Sequence, residues 1–167
     1  MKCHFCHKKA VIKDIDKFYC KNCFARVIEK RVRKYLRINK VIRKNDKLLV
    51  FDNVSLWFLK KIIKDPSIKI VFKKLKPELS KVFENKKIKT LAKSKKANKI
   101  VLPWTADDEI SLFLKAIFSN KKPKNLGQIQ SYVKLFKVIT EQELVMFSKI
   151  KKLGYKEKKK TDINQMI

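Results

Sequence analysis

The chain has four cysteines, and all four lie in its first 23 residues. Cys3 and Cys6 form one Cys-x2-Cys pair, Cys20 and Cys23 form a second, and thirteen residues separate them. Two such pairs bring four thiolates to one tetrahedral ion, and Zn2+ is the ion that this donor set suits best. Pairs this close read as metal ligands, not disulfides, in a reducing compartment. Both histidines, His4 and His7, fall in the same segment. Either could replace a cysteine, but four thiolates already complete the shell, so they are read as exposed polar neighbours. A closed shell keeps no position for substrate, so the zinc is expected to be structural, and a span this short takes its folding energy from the metal.

The second chemical feature is charge. Lys and Arg total 44 against 15 acidic residues, a formal net charge of +29 in 167 residues. Self-repulsion on that scale opposes a compact chain and calls for a polyanionic partner. Nucleic acid is the first choice, because each neutralised phosphate releases counterions. A membrane surface is disfavoured, since no amphipathic segment sets an aromatic face opposite the lysines. All five arginines, Arg26, Arg31, Arg33, Arg37 and Arg43, fall within 18 residues just after the last cysteine. Arg binds phosphate bidentately and stacks on bases, so this cluster marks the expected contact, with Lys30 and Lys34 between the arginines.

Catalytic side chains are scarce. Asp107, Asp108 and Glu109 form the one acidic cluster. They fall at a predicted helix start, where capping and the helix dipole already account for carboxylates. Every His and Cys is used up at the front, so no Ser–His or Cys–His pair can form, and no catalytic residue is assigned. Trp104 follows a predicted strand, near the edge where open α/β sheets bind ligands, and is the candidate for stacking on an unpaired base.

The elements that position these groups follow from periodicity. From Phe24, apolar Phe24, Val27, Ile28, Val32, Tyr35 and Leu36 recur at three and four, which predicts a helix with the basic residues on its other faces. Leu48 to Phe51, "SIKIVF" and "NKIVLP" read as short buried strands, the last ended by Pro103. "NVSLWFLKKIIK" predicts a helix capped by Asn53. Pro77 to Lys96 reads as helix and loop with Leu79, Val82 and Phe83 inward. "TADDEISLFLKAIFSN" predicts a helix with Thr105 as cap and Asp108 in the box position. "YVKLFKV" looks extended, and "TEQELVMFSKIKKLGY" predicts a last helix, boxed by Thr140 and Glu143 and stopped by Gly154. Strands alternating with helices imply a parallel sheet with helices on both faces. The fold class is therefore α/β: a zinc knuckle over 1–23, a basic linking helix over 24–44, a small α/β domain over 45–155 and a charged tail over 156–167, expected to lack order.

The order of these parts resembles the PP-loop ATPases that thiolate tRNA uridines, the tRNA 2-thiouridine synthetase (TtuA-like) family. Three patches carry the resemblance. Cys3, Cys6, Cys20 and Cys23 followed by "FARVIEKRVRKYLRINKVIRKNDKLLVF" matches the family's double knuckle, basic helix and first strand. "LAKSKKANKIVLPWTADDEISLFLKAIFSN" is similar to its helix, strand and "GHNxDDEA" helix start. "VKLFKVITEQELVMFSKIKKLGY" is similar to its "KPLxxxxExEVxxYAxLxGLPY" segment. The resemblance implies a PP-loop-like parallel sheet and tRNA as partner.

The departures fall on the chemistry. The family's "SGGKDS" loop uses glycines so that backbone N–H groups can cradle phosphate. Here the matching stretch is "FDNVSLWF", without glycine, and the chain's two glycines are Gly127 and Gly154. The family's "GH" is Pro103-Trp104 here, and its central cysteines have no counterpart. Ser55, Trp104, Asp107 and Asp108 are what would remain of a nucleotide site. The expectation is a cytoplasmic, zinc-containing RNA-binding protein with ATP binding and sulfur chemistry lost. It would act on tRNA alone, with an active thiolation enzyme, or as a dimer with itself. One alternative is an active ATP-dependent tRNA-modifying enzyme with an altered loop. Another is a ribosome- or DNA-associated structural protein in which charge does everything.

Overall fold

The computed structural model describes residues 1–14, 16–74, 86–118, 131–155 and 157–158. A hairpin comes first, β1 (Ile12–Asp14) and β2 (Lys17–Tyr19), followed by the long helix α1 (Lys21–Ile38). Then strands and helices alternate: β3 (Lys47–Val50), α2 (Asn53–Ile62), β4 (Lys69–Phe72), α3 (Lys86–Ser94), β5 (Lys99–Thr105), α4 (Ala106–Phe118), β6 (Tyr132–Phe136) and α5 (Glu141–Lys151). β4, β3, β5 and β6 lie side by side in that order, and every neighbouring pair is parallel.

Side-chain alternation along the strands builds a core on each face of the sheet. Leu48 and Val50 join one cluster, and Leu49 and Phe51 join the other. Strands buried on both faces need continuous apolar runs, which is why "LLVF" carries no polar residue. The larger cluster receives Phe24, Ile28, Val32 and Leu36 from α1, Val54, Phe58 and Leu59 from α2, and Leu144 and Phe147 from α5. The smaller cluster receives Ile88 and Ala92 from α3, with Leu112 of α4 packed against it. This is the expected α/β architecture. Among the described residues, no helix is long and apolar enough to cross a membrane.

Several boundaries differ from the expectation. α1 starts at Lys21 because the Cys20 sulfur accepts the Cys23 N–H at its N-terminus, and it ends at Ile38, short of Arg43. α2 is capped by Asp52, not Asn53: the Asp52 carboxylate accepts the Ser55 N–H at 2.7 Å. β5 runs through Pro103 to Thr105. Proline is tolerated inside this strand because the β5–β6 register shifts between Leu102 and Thr105, where no ladder N–H is required. The Thr140–Glu143 capping box of α5 forms as expected, but the left-handed residue at its end is Lys152 (φ 55), ahead of Gly154 (φ 68). Leu79, Val82 and Phe83, the 121–127 loop, and the tail apart from 157–158 lie outside the described residues.

Candidate metal centre and nucleic-acid interface

The four cysteines converge. Their sulfurs all lie within 4.8 Å of one another, with Cys6 and Cys20 at 3.5 Å. A single tetrahedral ion with ligands at about 2.3 Å holds its sulfurs about 3.8 Å apart, so the donor set fits one ion. Local folding explains the convergence. Turn bonds from Cys3 N–H to the Lys8 carbonyl (2.7 Å) and from His7 N–H to the Cys3 carbonyl (3.0 Å) present the first pair. His7 takes a left-handed backbone (φ 58) to close that turn. The second pair sits at the start of α1, Cys20 as cap and Cys23 in the first turn.

Electrostatics also favours a cation here. Burial pushes the Cys23 thiol up to about 12, reinforced by the three neighbouring sulfurs. Burial opposes ionisation of Cys3 as well, but backbone groups of Cys20, Phe5 and Cys6 bring its thiol down to about 6. A bound cation would favour the thiolate form at both positions, whose thiols are otherwise shifted in opposite directions. His4 and His7 are exposed and stand outside the cluster.

The knuckle is not free-standing. Cys3, Tyr19 and Cys23 are buried in the same cluster as Phe24 and the sheet, with Phe5 stacked on Tyr19 and Tyr19 edge-on to Phe24. Orientation comes from ions. Arg31 on α1 pairs with Glu143 at the start of α5 and lies 3.6 Å from Asp14 of β1. One guanidinium therefore ties hairpin, helix and sheet domain together.

That pairing sets Arg31 apart from its neighbours. Arg26, Lys30, Arg33, Lys34 and Arg37 are exposed, and none has a carboxylate partner among the described residues. At about 100° per residue, Arg26, Lys30, Arg33 and Arg37 fall within about 60° of the helix circumference, and they span about 16 Å of its length. Lys34 flanks this stripe. Arg43 is exposed but lies beyond the helix, its backbone N–H held by Asp46 at 2.7 Å.

The remnant-site residues gather at the carboxyl edge of neighbouring strands, yet each has a structural task. Ser55 is fully buried in the first turn of α2. Asp107 accepts the Glu141 N–H at 2.6 Å. Asp108 accepts both the backbone N–H and the hydroxyl of Thr105, at 2.7 and 3.0 Å. Trp104 is 3% exposed, so the structure moves it from the rim into the core. Its indole N–H donates to Glu109 at 2.8 Å, and the Lys134 ammonium stands 4.9 Å over its ring.

Two positions were missed in the sequence. Asp52 had a signal, since an aspartate three residues before Ser55 is a cap as good as the next residue's asparagine. Burial pushes its carboxyl above the usual range, against the Ser55 N–H and the Lys158 charge. Lys158, assigned to the disordered tail, reaches Asp108 and Glu141, and nothing local in the sequence signals that.

No protein-family model matches this chain, and no curated protein does. Its fold is nevertheless shared with a solved tRNA thiolase. The solved structure of U34-tRNA thiolase NcsA from Methanococcus maripaludis, determined with its 4Fe-4S cluster, superposes with a TM-score of 0.70. The match covers 94% of this chain and 74% of that one at 17% sequence identity, a level at which it establishes the fold.

Proposed function

We propose that this chain is a metal-anchored RNA-binding protein, with tRNA as its partner, on a tRNA-thiolase fold that has lost nucleotide binding and sulfur transfer. The observation that carries the reading is the stripe Arg26–Lys30–Arg33–Arg37, unpaired among the described residues, with Lys34 beside it, on a helix fixed at one end by the cysteine cluster and in the middle by Arg31. A helix whose cations have no carboxylate partner among the described residues is arranged for a phosphate backbone, because no ion pair seen there has to break before contact. Arg43 extends the stripe past the helix end.

Zn2+ is the metal assigned to Cys3, Cys6, Cys20 and Cys23. The compactness of the sulfur cluster supports one ion, since a four-iron cluster gives each cysteine its own iron and spreads the sulfurs. When bound, the ion supplies structure: it cross-links the hairpin to α1 and so aims the stripe. All four cysteines serve this centre, which leaves none for a second cluster or for carrying sulfur.

Loss of nucleotide binding is supported by Asp52. The N-terminus of a helix after a parallel strand is an anion site. At α2 that site holds the chain's own carboxylate, and the two residues between β3 and α2 are Phe51 and Asp52, with no glycine to let a phosphate approach. The 1–23 knuckle, 24–44 basic segment and 45–155 α/β unit then act as anchor, contact and platform, in the cytoplasm, alone or beside an active thiolation enzyme or a second copy. The test compares metal-loaded protein binding tRNA with an equal-length DNA duplex at one salt concentration. Tighter tRNA binding is expected; equal affinity would reduce the function to charge alone.

A further inference from the structure

In the sheet order β4-β3-β5-β6, the chain leaves β3 toward one side and returns on the other. Open α/β sheets take their ligands at such a switch point, outside the carboxyl ends of the strands. Here the chain's own charged groups stand at that edge. Asp52 follows β3, Asp108 follows β5, and Glu141 opens α5. Three carboxylates from three helix starts thus gather at one edge of a chain whose net charge is +29.

Lys158 meets them. Its ammonium donates to the Pro103 carbonyl oxygen at 2.7 Å, pairs with Asp108, and lies 3.2 Å from Glu141 Oε2. Its backbone N–H donates to Glu141 Oε1 at 3.1 Å, and the Tyr155 hydroxyl donates to the same oxygen at 2.9 Å. The Tyr155 N–H is held by the Ser148 hydroxyl at 3.0 Å. Glu141 therefore anchors the C-terminal segment twice, through Tyr155 and through Lys158. Asp52, half-buried ahead of α2, stands beside the fully buried Ser55, whose N–H it accepts at 2.7 Å. The edge of the sheet thus carries an internal cation, the Lys158 ammonium, set between two helix starts.

We propose that Tyr155 and Lys158 tie down the carboxyl edge of the sheet at its switch point, with the Lys158 ammonium acting as a built-in ligand of Asp108 and Glu141. Lys158 joins the starts of α4 and α5 beside the Pro103 carbonyl of β5, and Tyr155 holds the same Glu141. This sets a primary ammonium that belongs to the chain between Asp108 and Glu141. This inference does not depend on RNA binding: it predicts behaviour of the free protein.

The test is chemical rescue on the full, metal-loaded chain. Lys158→Ala should lower Tm by about 3–6 °C, as expected for losing a partly buried network. Methylammonium chloride, a small primary ammonium, should restore about half of that loss or more, while tetramethylammonium chloride at equal ionic strength, unable to donate, should restore none. A K158A Tm within about 1 °C of the parent, or equal effects of the two salts, would overturn this tie. Should K158A not fold, Glu141→Gln reads the same contact by hydrogen exchange. The Lys158 amide should exchange at least about tenfold faster in E141Q than in the parent, and an unchanged rate would overturn the proposal.

Discussion

Arg31 of α1 donates to Glu143 Oε1, while the other oxygen of that carboxylate closes the α5 capping box on the Thr140 N–H at 2.8 Å. One carboxylate thereby fixes both the start of α5 and the angle of the basic helix. Burial pushes the Glu143 carboxyl up, and the Thr140 N–H and Arg31 work against that push. Removing Arg31 alone should leave a buried acid without its cation. Arg31→Met is expected to cost about 1–2 kcal/mol, less than a fully buried pair because the guanidinium is partly screened by solvent. Arg31→Met with Glu143→Gln should recover most of that, since glutamine still closes the box. Denaturant midpoints of the four proteins form the double-mutant cycle, and additive losses would show that the two residues do not interact.

Metal removal is the next perturbation. A chelator should strip the ion from the four cysteines, release the hairpin, and lower tRNA affinity at least about tenfold, because the stripe loses its anchor. The sheet should keep its structure at a reduced Tm, since Cys3, Tyr19 and Cys23 belong to the larger core. Hydrogen exchange on residues 1–23 and on β3 and β5 separates the two responses. Loss of protection everywhere would make the metal a requirement of the whole fold.

Asp52 makes a pH prediction. Its folded carboxyl titrates above the unfolded one, so its stabilising contribution is full below the unfolded value of 3.8 and is lost as pH rises through the folded value. Asn keeps the cap and never ionises. Asp52→Asn should therefore raise Tm at pH 7, by about 2–4 °C at most, and the gain should vanish below about pH 4. A gain that persists unchanged at low pH would mean the charge is not the cause.

The same residue predicts the response to nucleotide. Calorimetric titration of Mg2+–ATP into metal-loaded protein, with and without tRNA, should show no binding at ligand concentrations up to about 1 mM, a limit that corresponds to less than about 4 kcal/mol of affinity. Measurable saturation would restore an ATP-dependent activity to this fold.

How much of this was legible in the sequence depended on how local each determinant was. The cysteine pairs, the Thr140–Glu143 box and the continuous apolar runs are short-range patterns, and the structure contains all three. Arg31 was indistinguishable from Arg33, because a helix period separates inside from outside but cannot reveal an acid 112 residues away. Trp104 read as a rim residue because Pro103 was taken to end its strand, whereas the bulge there carries the strand two residues further and turns the indole inward. Lys158 was hidden for the same reason as Arg31: its partners lie at the starts of two other helices.

The most direct measurement is the salt dependence of tRNA binding for the parent chain and for Arg33→Ala/Arg37→Ala. Phosphate contacts set the slope of log affinity against log salt. If the stripe is the interface, the double variant should bind more weakly and its slope should be shallower by about two units, one for each lost contact. A slope equal to the parent's would remove α1 from the interface and contradict the account.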